Sequence, residues 1–506
     1  MRTKKAAINF LTDALPQIII LVLVFFKIKI FIRYLGAETL GLYQLYGQIV
    51  SYLVLVEGGI GSALLFRLYK PIHDNNQKKI NQIMSAARVI FNFIALIILV
   101  VGIIISFNLG FFIKDNNFSS FFLIFTFLLY LTSQALYYFV TPYRCMFDAS
   151  QDRFIPNLIY QSITLIKSVI EIILIVMGKG LVEILISLVI LSLISNLLTF
   201  IAFKKKYPKI SFKEKKDFSM MKDVKDLFVN TVGILIANNI DILLISKFIG
   251  LKTVVIYTTY NYFVEAIKQF IDKITGATIS GIGDVLTSSQ KKDKEKTITI
   301  FNELNSLVFF LGIVICVPFY IFINKFITIW YEGEITTTRM YGLLFSILLF
   351  LNIIRIPMKT FSLSSGKFKE VKKYVILEIV INLAISLCLI KKMGIVGLLI
   401  GTIVSIVISE LIFKAKVIHK KILNQTSKLY YIRLIMNTIY LVSISVIADI
   451  IIPNNYSSLR GCIFLGILVT FFNLIVTILY LKITNQLHFM KRIKFFVDFT
   501  KNEMKK

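Results

Sequence analysis

Asn261, Glu265, Lys268 and Asp272 fall at i, i+4, i+7 and i+11 in an otherwise apolar-rich stretch, a spacing that puts all four on one face of a helix. An ammonium on such a face attracts anions, and its carboxylates take up protons or cations. Lys268 has a carboxylate within reach on either side. That pairing alone would suit a self-neutralising helix inside a core. One carboxylate remains in excess, however, on a face that would cost less if it were apolar. Further charges interrupt other apolar runs. Lys27 is one, and Asp241, beside Asn238 and Asn239, is another; Lys29 reads as a side chain that snorkels to an interface. Glu57 adjoins Gly58, Gly59 and Gly61, whose missing side chains would let backbones approach closely. Lys167 and Glu171 stand one turn apart, as do Glu378 and Asn382, and each couple suits either a packing lock or the lining of a pathway. Arg67, Arg88, Arg144, Arg355 and Lys359 fall near the ends of apolar runs, where phosphate attraction and interface anchoring look alike.

The elements that position these groups are membrane helices. Of 506 residues 57% are hydrophobic, and continuous apolar runs of about 20 residues recur along the chain, each long enough to cross a hydrocarbon core as a helix. Fourteen spans are expected, beginning near residues 8, 40, 84, 119, 154, 180, 222, 253, 298, 338, 371, 394, 430 and 459. The net charge of +29 would point to nucleic acid in a soluble protein, but its distribution excludes that partner. Lys and Arg gather in every second connection, as in Lys204 to Lys225, Lys291 to Lys296 and Lys414 to Lys428, and the connections between are poor in them. This is the positive-inside asymmetry of a bacterial-type inner membrane protein. An even number of spans then leaves both termini in the cytoplasm.

Cys145, Cys316, Cys388 and Cys462 lack the close spacings of metal or redox sites, and His73, His419 and His488 are far apart in sequence, so no metal is expected. No connection is long enough to fold as a catalytic domain, which argues against a sugar polymerase or glycosyltransferase. No phosphate-binding glycine loop is present. Energy for transport, with no cofactor, must come from an ion gradient (H+ or Na+), a membrane potential or product removal.

Sliding the chain against itself by one constant offset aligns several widely spaced segments without gaps. In that frame Arg33-Tyr34-Leu35-Gly36 meets Lys247-Phe248-Ile249-Gly250, Arg153-Phe154 meets Lys367-Phe368, and Gly180-Leu181-Val182 meets Gly394-Ile395-Val396. The frame also places Lys27 opposite Asp241, pseudo-symmetric positions of opposite sign. A repeat of six helices enters the membrane twice in the same direction. The expected architecture is all-α: two pseudo-symmetric six-helix bundles, 1–215 and 216–428, facing each other across a central cavity, followed by two further helices and a basic tail in 429–506. On span 12, Gly394, Gly397 and Gly401 read as close helix packing.

Arg33-Tyr34-Leu35-Gly36-Ala37-Glu38, followed by Gly41-Leu42-Tyr43 and by Glu57-Gly58-Gly59-Ile60-Gly61-Ser62-Ala63, resembles the opening of the Wzx-type polysaccharide transporters that flip undecaprenyl-pyrophosphate-linked O-antigen or capsule repeat units. Their superfamily also includes multidrug exporters and lipid II flippases. The resemblance implies an alternating-access flippase, not an enzyme, in the bacterial cytoplasmic membrane. Its cationic cavity would accept a pyrophosphate and glycan while the isoprenoid tail stays in membrane lipid, and other polysaccharide assembly proteins would be its partners. Lys27 and Lys268, with Asn261, Arg67 and Arg355, become candidates for substrate binding. Glu57, Asp241, Glu265 and Asp272 become candidates for ion coupling. An ion-coupled multidrug exporter of the same fold is the alternative.

Overall fold

The computed structural model describes residues 2–115, 117–219, 240–287, 291–364, 368–452 and 458–490. The described residues are helical, without strands, and ten of their helices are long and apolar enough to cross a membrane. These ten match the expected spans beginning near 84, 119, 154, 180, 298, 338, 371, 394, 430 and 459. The span expected near 222 begins in 220–239, outside the described residues. The chain divides into two compact units, Met1–Val255 and Ile256–Lys506.

In unit 1, α1 (Arg2–Leu53) covers the first two expected starts and is broken at Gly36, with φ 81 and ψ 157. A side chain is strained at that φ, so only glycine turns the chain there freely. Its repeat mate Gly250 also has positive φ, at 134. A short 3-10 turn, Val54–Glu57, follows, and then Gly58 and Gly59, both left-handed, precede α2 (Ile60–His73). These two glycines therefore break the span as well as thin it. Next come α3 (Gln77–Ser106), whose first turn is capped by Asn76, and α4 (Ser120–Ala135), capped by Ser119. A 3-10 turn leads into α5 (Thr141–Ala149), with Pro142 in its first turn. The unit continues through α6 (Phe154–Val176), α7 (Leu181–Lys206) and α8 (Asp241–Phe248) into the start of α9 (Leu251–Thr287).

The long basic connection after α7 lies along α3. Gln77 donates to the Lys209 carbonyl at 3.2 Å, the Ser211 N–H donates to Asn81 at 3.1 Å, and the Asp217 N–H donates to the Gln82 carbonyl at 3.2 Å. The Lys79 ammonium, 2.7 Å from Asp217, holds that carboxyl down at about 2. A lowered acid pKa stabilises the fold above the carboxyl's unfolded value near ~4 and is lost as pH falls through the folded value. Proteolysis of the 204–219 connection is therefore expected to stay slow from neutral pH down to about 4 and to accelerate below it. In Asp217→Asn the faster rate is expected at every pH.

Unit 2 continues α9 into α10 (Lys291–Trp330), α11 (Arg339–Ile354), α12 (Ile356–Ser364), α13 (Phe368–Met393) and α14 (Ile395–Ile406). A π-helical stretch, Val407–Lys414, then leads into α15 (Ala415–Lys421), α16 (Lys428–Ile451) and α17 (Leu459–Ile483). The sequence repeat reappears in the helix starts. The offset that carries Arg33 onto Lys247 also carries Leu181, the start of α7, onto Ile395, the start of α14. A Cβ on Gly397 would stand 2.7 Å from the Leu389 Cβ, and one on Gly401 would stand 3.0 Å from the Ser386 nitrogen. The glycines of span 12 thus do bring α13 and α14 together, as their spacing suggests. The two C-terminal helices are joined to the repeat by polar contacts: buried Asn473 on α17 donates to the Ile313 carbonyl of α10 at 3.0 Å.

Candidate functional site

The polar stripe of α9 is present as its spacing requires. Tyr260, Val264 and Ile271 are fully buried on one face of the helix. Asn261, Glu265, Lys268 and Asp272 occupy the adjoining face and are all half-buried. Lys268 donates to both Glu265 oxygens, at 2.9 and 3.1 Å. The lysine keeps 26% of its side-chain surface and the glutamate 39%, so this pair is open to exchange with an incoming ion. The helix is fixed by Tyr260, which donates to Asn324 at 2.6 Å and stacks on Phe345.

Lys27 pairs with a residue outside its repeat frame. It donates to Glu171 on α6 at 2.9 Å and sits above the Tyr43 ring. Glu171 is 2% exposed, and its other oxygen is 3.9 Å from Lys167. One buried carboxylate thus serves two cations, and the Lys167–Glu171 couple read from sequence is one side of a three-member cluster. Asp241 lies in the first turn of α8, half-buried; Asn238 and Asn239 lie outside the described residues. Glu57 ends the 3-10 turn and accepts a hydrogen bond from the Gly61 backbone. Arg67 lines a surface cavity of about 600 Å3 with Lys70, His73 and Lys79.

In unit 2, Arg355 donates to Glu378 at 3.2 Å. Beside this pair, in the π-helical stretch, Lys414 donates to Glu410 at 2.8 Å, and both are buried. Sequence reading assigned Lys414 to a solvated basic connection and overlooked Glu410. The i, i+4 spacing of the two was the available signal, masked by the lysines that follow. No group of three or more His, Cys, Asp or Glu suited to a metal ion occurs among the described residues.

Among the described residues, interior charges gather at the α9 stripe, at the Lys27–Glu171–Lys167 cluster, and at the Arg355–Glu378 and Glu410–Lys414 pairs. Of the candidate residues, Lys268 and Glu265 are paired with each other, while Lys27 and Arg355 are paired with glutamates outside the candidate set.

Among solved structures, the lipid II flippase MurJ in an inward closed conformation is similar at TM-score 0.66 and 14% identity, covering 93% of this chain and 98% of that one. An inward-facing multidrug resistance MATE family transporter of the MOP superfamily is similar at TM-score 0.64 and 13% identity, covering 81% and 96%. The Vibrio cholerae MATE transporter VcmN is similar at TM-score 0.52 and 14% identity, covering 83% and 99%. At such identities the likeness is one of fold, and with ten membrane-length helices it makes this a multi-pass, all-α membrane protein. No curated protein matches the chain in sequence. A sequence profile described as "Polysaccharide biosynthesis protein" matches residues 6–280. That match takes in more than half of the chain, including the Gly36 break, the Lys27–Glu171–Lys167 cluster and the α9 stripe, and the chain therefore belongs to the polysaccharide biosynthesis protein family.

Proposed function

We propose that the protein is a flippase that carries an undecaprenyl-pyrophosphate-linked oligosaccharide repeat unit across the bacterial cytoplasmic membrane by alternating access, for cell-surface polysaccharide synthesis. The observation that carries this reading is the half-buried α9 stripe in a member of the polysaccharide biosynthesis family. Intramembrane charges that remain partly exposed are costly and mark pathways. The flippase and transporter folds that the chain resembles support a carrier in place of an enzyme.

In this mechanism a pyrophosphate competes with Glu265 for the Lys268 ammonium. The glutamate freed by that exchange, with Asp272, takes up a proton or sodium ion. Ligand and coupling ion are thereby linked through one shared lysine, since each favours the state in which Lys268 and Glu265 are apart. Asn261 supplies neutral hydrogen bonds to the sugar. The lipid tail remains in the bilayer, and both termini lie in the cytoplasm.

Cells lacking the protein are expected to accumulate lipid-linked oligosaccharide on the cytoplasmic face and to lose the surface polymer. Supplying the chain in trans should reverse both. A mutant with normal lipid-linked pools and an undiminished surface polymer would sink the proposal.

A further inference from the structure

We propose that unit 1 holds a compact inorganic anion, chloride or phosphate, in a cavity beside Arg144 and Lys167, where unit 2 carries carboxylates of its own. The cavity, of about 130 Å3, lies between α4, α5, α6 and α7 and is lined by those two cations and by no Asp or Glu. Two further observations point to a ligand. The Arg144 Nε and the Ser195 hydroxyl both border this cavity, and both are buried without a hydrogen-bond partner among the described residues. Ser195 is only 6% exposed.

The neighbouring acids are already committed. Glu171 is 2.9 Å from Lys27 and only 3.9 Å from Lys167. Asp148 faces Arg153, and Glu57 is turned to Gly61. Arg144 is covered by the rings of Tyr137 and Tyr160, at 4.3 and 5.2 Å, which offer it a π face but no counter-charge. A guanidinium cannot escape burial by shedding its proton, so an unneutralised one is costly.

The internal repeat shows what is missing. The same offset that aligns Phe154 with Phe368 takes Thr164 on α6 to Glu378, and Asn196 on α7 to Glu410. In unit 2 those two carboxylates neutralise Arg355 and Lys414. In unit 1 the same two positions are neutral and line the cavity, while the positions of Arg355 and Lys414 are taken by Thr141 and Phe200; the cavity's cations, Arg144 and Lys167, have no cationic counterpart in unit 2. A mobile anion would occupy in unit 1 the role that built-in glutamates fill in unit 2.

The test uses the purified full chain in detergent, equilibrated in sodium gluconate, whose anion is too bulky for the cavity. Sodium chloride or sodium phosphate is then exchanged in at constant ionic strength while the unfolding temperature is followed. A saturable rise with chloride, phosphate or both is expected, since a ligand that binds the folded state stabilises it. Arg144→Gln should raise the half-saturating concentration about tenfold or more, as loss of a charged hydrogen bond does. Ser195→Ala, which keeps the charge, should raise it about threefold or more by loss of a neutral hydrogen bond. Thr164→Glu puts a built-in carboxylate in the cavity lining; it should raise the unfolding temperature in gluconate and abolish the anion dependence. An unfolding temperature that stays flat as chloride or phosphate replaces gluconate, or unchanged anion dependence in Thr164→Glu and Ser195→Ala, would overturn the proposal.

Discussion

Replacing Glu171 with Gln is expected to cost about 3–5 kcal/mol of stability, the usual penalty for removing one partner from a buried ion pair. The reason lies in the counting of charges. Glu171 is 2% exposed and is the shared counter-ion of Lys27 at 2.9 Å and Lys167 at 3.9 Å, so its loss takes the common carboxylate away from two ammonium groups between α1 and α6. Lys27→Met should cost less, because Lys167 already stands beside the carboxylate and moves in to pair with it. Removing all three charges together, as Lys27→Met, Glu171→Gln and Lys167→Met, should recover most of the loss, since replacing a whole ion cluster by apolar groups is often neutral or stabilising. The amount of folded, detergent-extractable protein and its unfolding temperature measure this series. The same triple variant also decides what Lys27 does in transport. If the lysine serves only Glu171, the variant transports; if it also meets substrate, a stable protein that fails to transport results. Stability unchanged by Glu171→Gln would mean that the cluster is not the interior tie described here.

The second large effect is expected on transport itself, at Lys268. Because Lys268 donates to both oxygens of Glu265 while keeping 26% of its surface, it is placed to exchange one anion for another. Lys268→Gln should lower the rate of lipid-linked sugar translocation in vesicles about tenfold or more, the scale on which a charge-assisted hydrogen bond contributes. Lys268→Arg should retain a good part of the rate, since the charge remains, though a planar fork does not reproduce a point charge. Glu265→Gln or Asp272→Asn should fold normally and translocate without dependence on the imposed proton or sodium gradient. If the stripe is instead only a self-neutralising surface, then Glu265→Gln, Lys268→Met and Asp272→Asn together leave no stranded charge. Full, gradient-sensitive transport by that variant would remove the stripe from the mechanism and direct attention to Glu57 and Asp241.

The sequence by itself determined whatever depends on local order along the chain. Apolar runs long enough for a bilayer specify helices wherever they occur, because in hydrocarbon each backbone group must find its partner within its own segment. Ten of the expected spans reappear among the described residues. The internal repeat was equally legible: Gly36 and Gly250, aligned by sequence, both have positive φ, and α7 and α14 start one repeat apart. The Lys268–Glu265 pair was readable too, since residues three apart on a helix are neighbours wherever the helix is placed.

Only the tertiary structure decided which distant charges meet. Lys27 and Glu171 are 144 residues apart, and nothing in the local pattern of either reveals that α6 packs on α1. The repeat frame sets Lys27 opposite Asp241, a relation of position along the chain that does not by itself foretell Glu171 as a partner. For Arg355 the sequence leaves phosphate attraction and interface anchoring open, and the packing of the helices sets it against Glu378. Lys414 heads a run of lysines that sequence assigns to water, yet the π-helical stretch keeps it buried on Glu410. In each case the sequence supplies a charged group and its place along a helix. The pairing depends on which helix face is covered and by what, a property of the packed bundle and of no single segment.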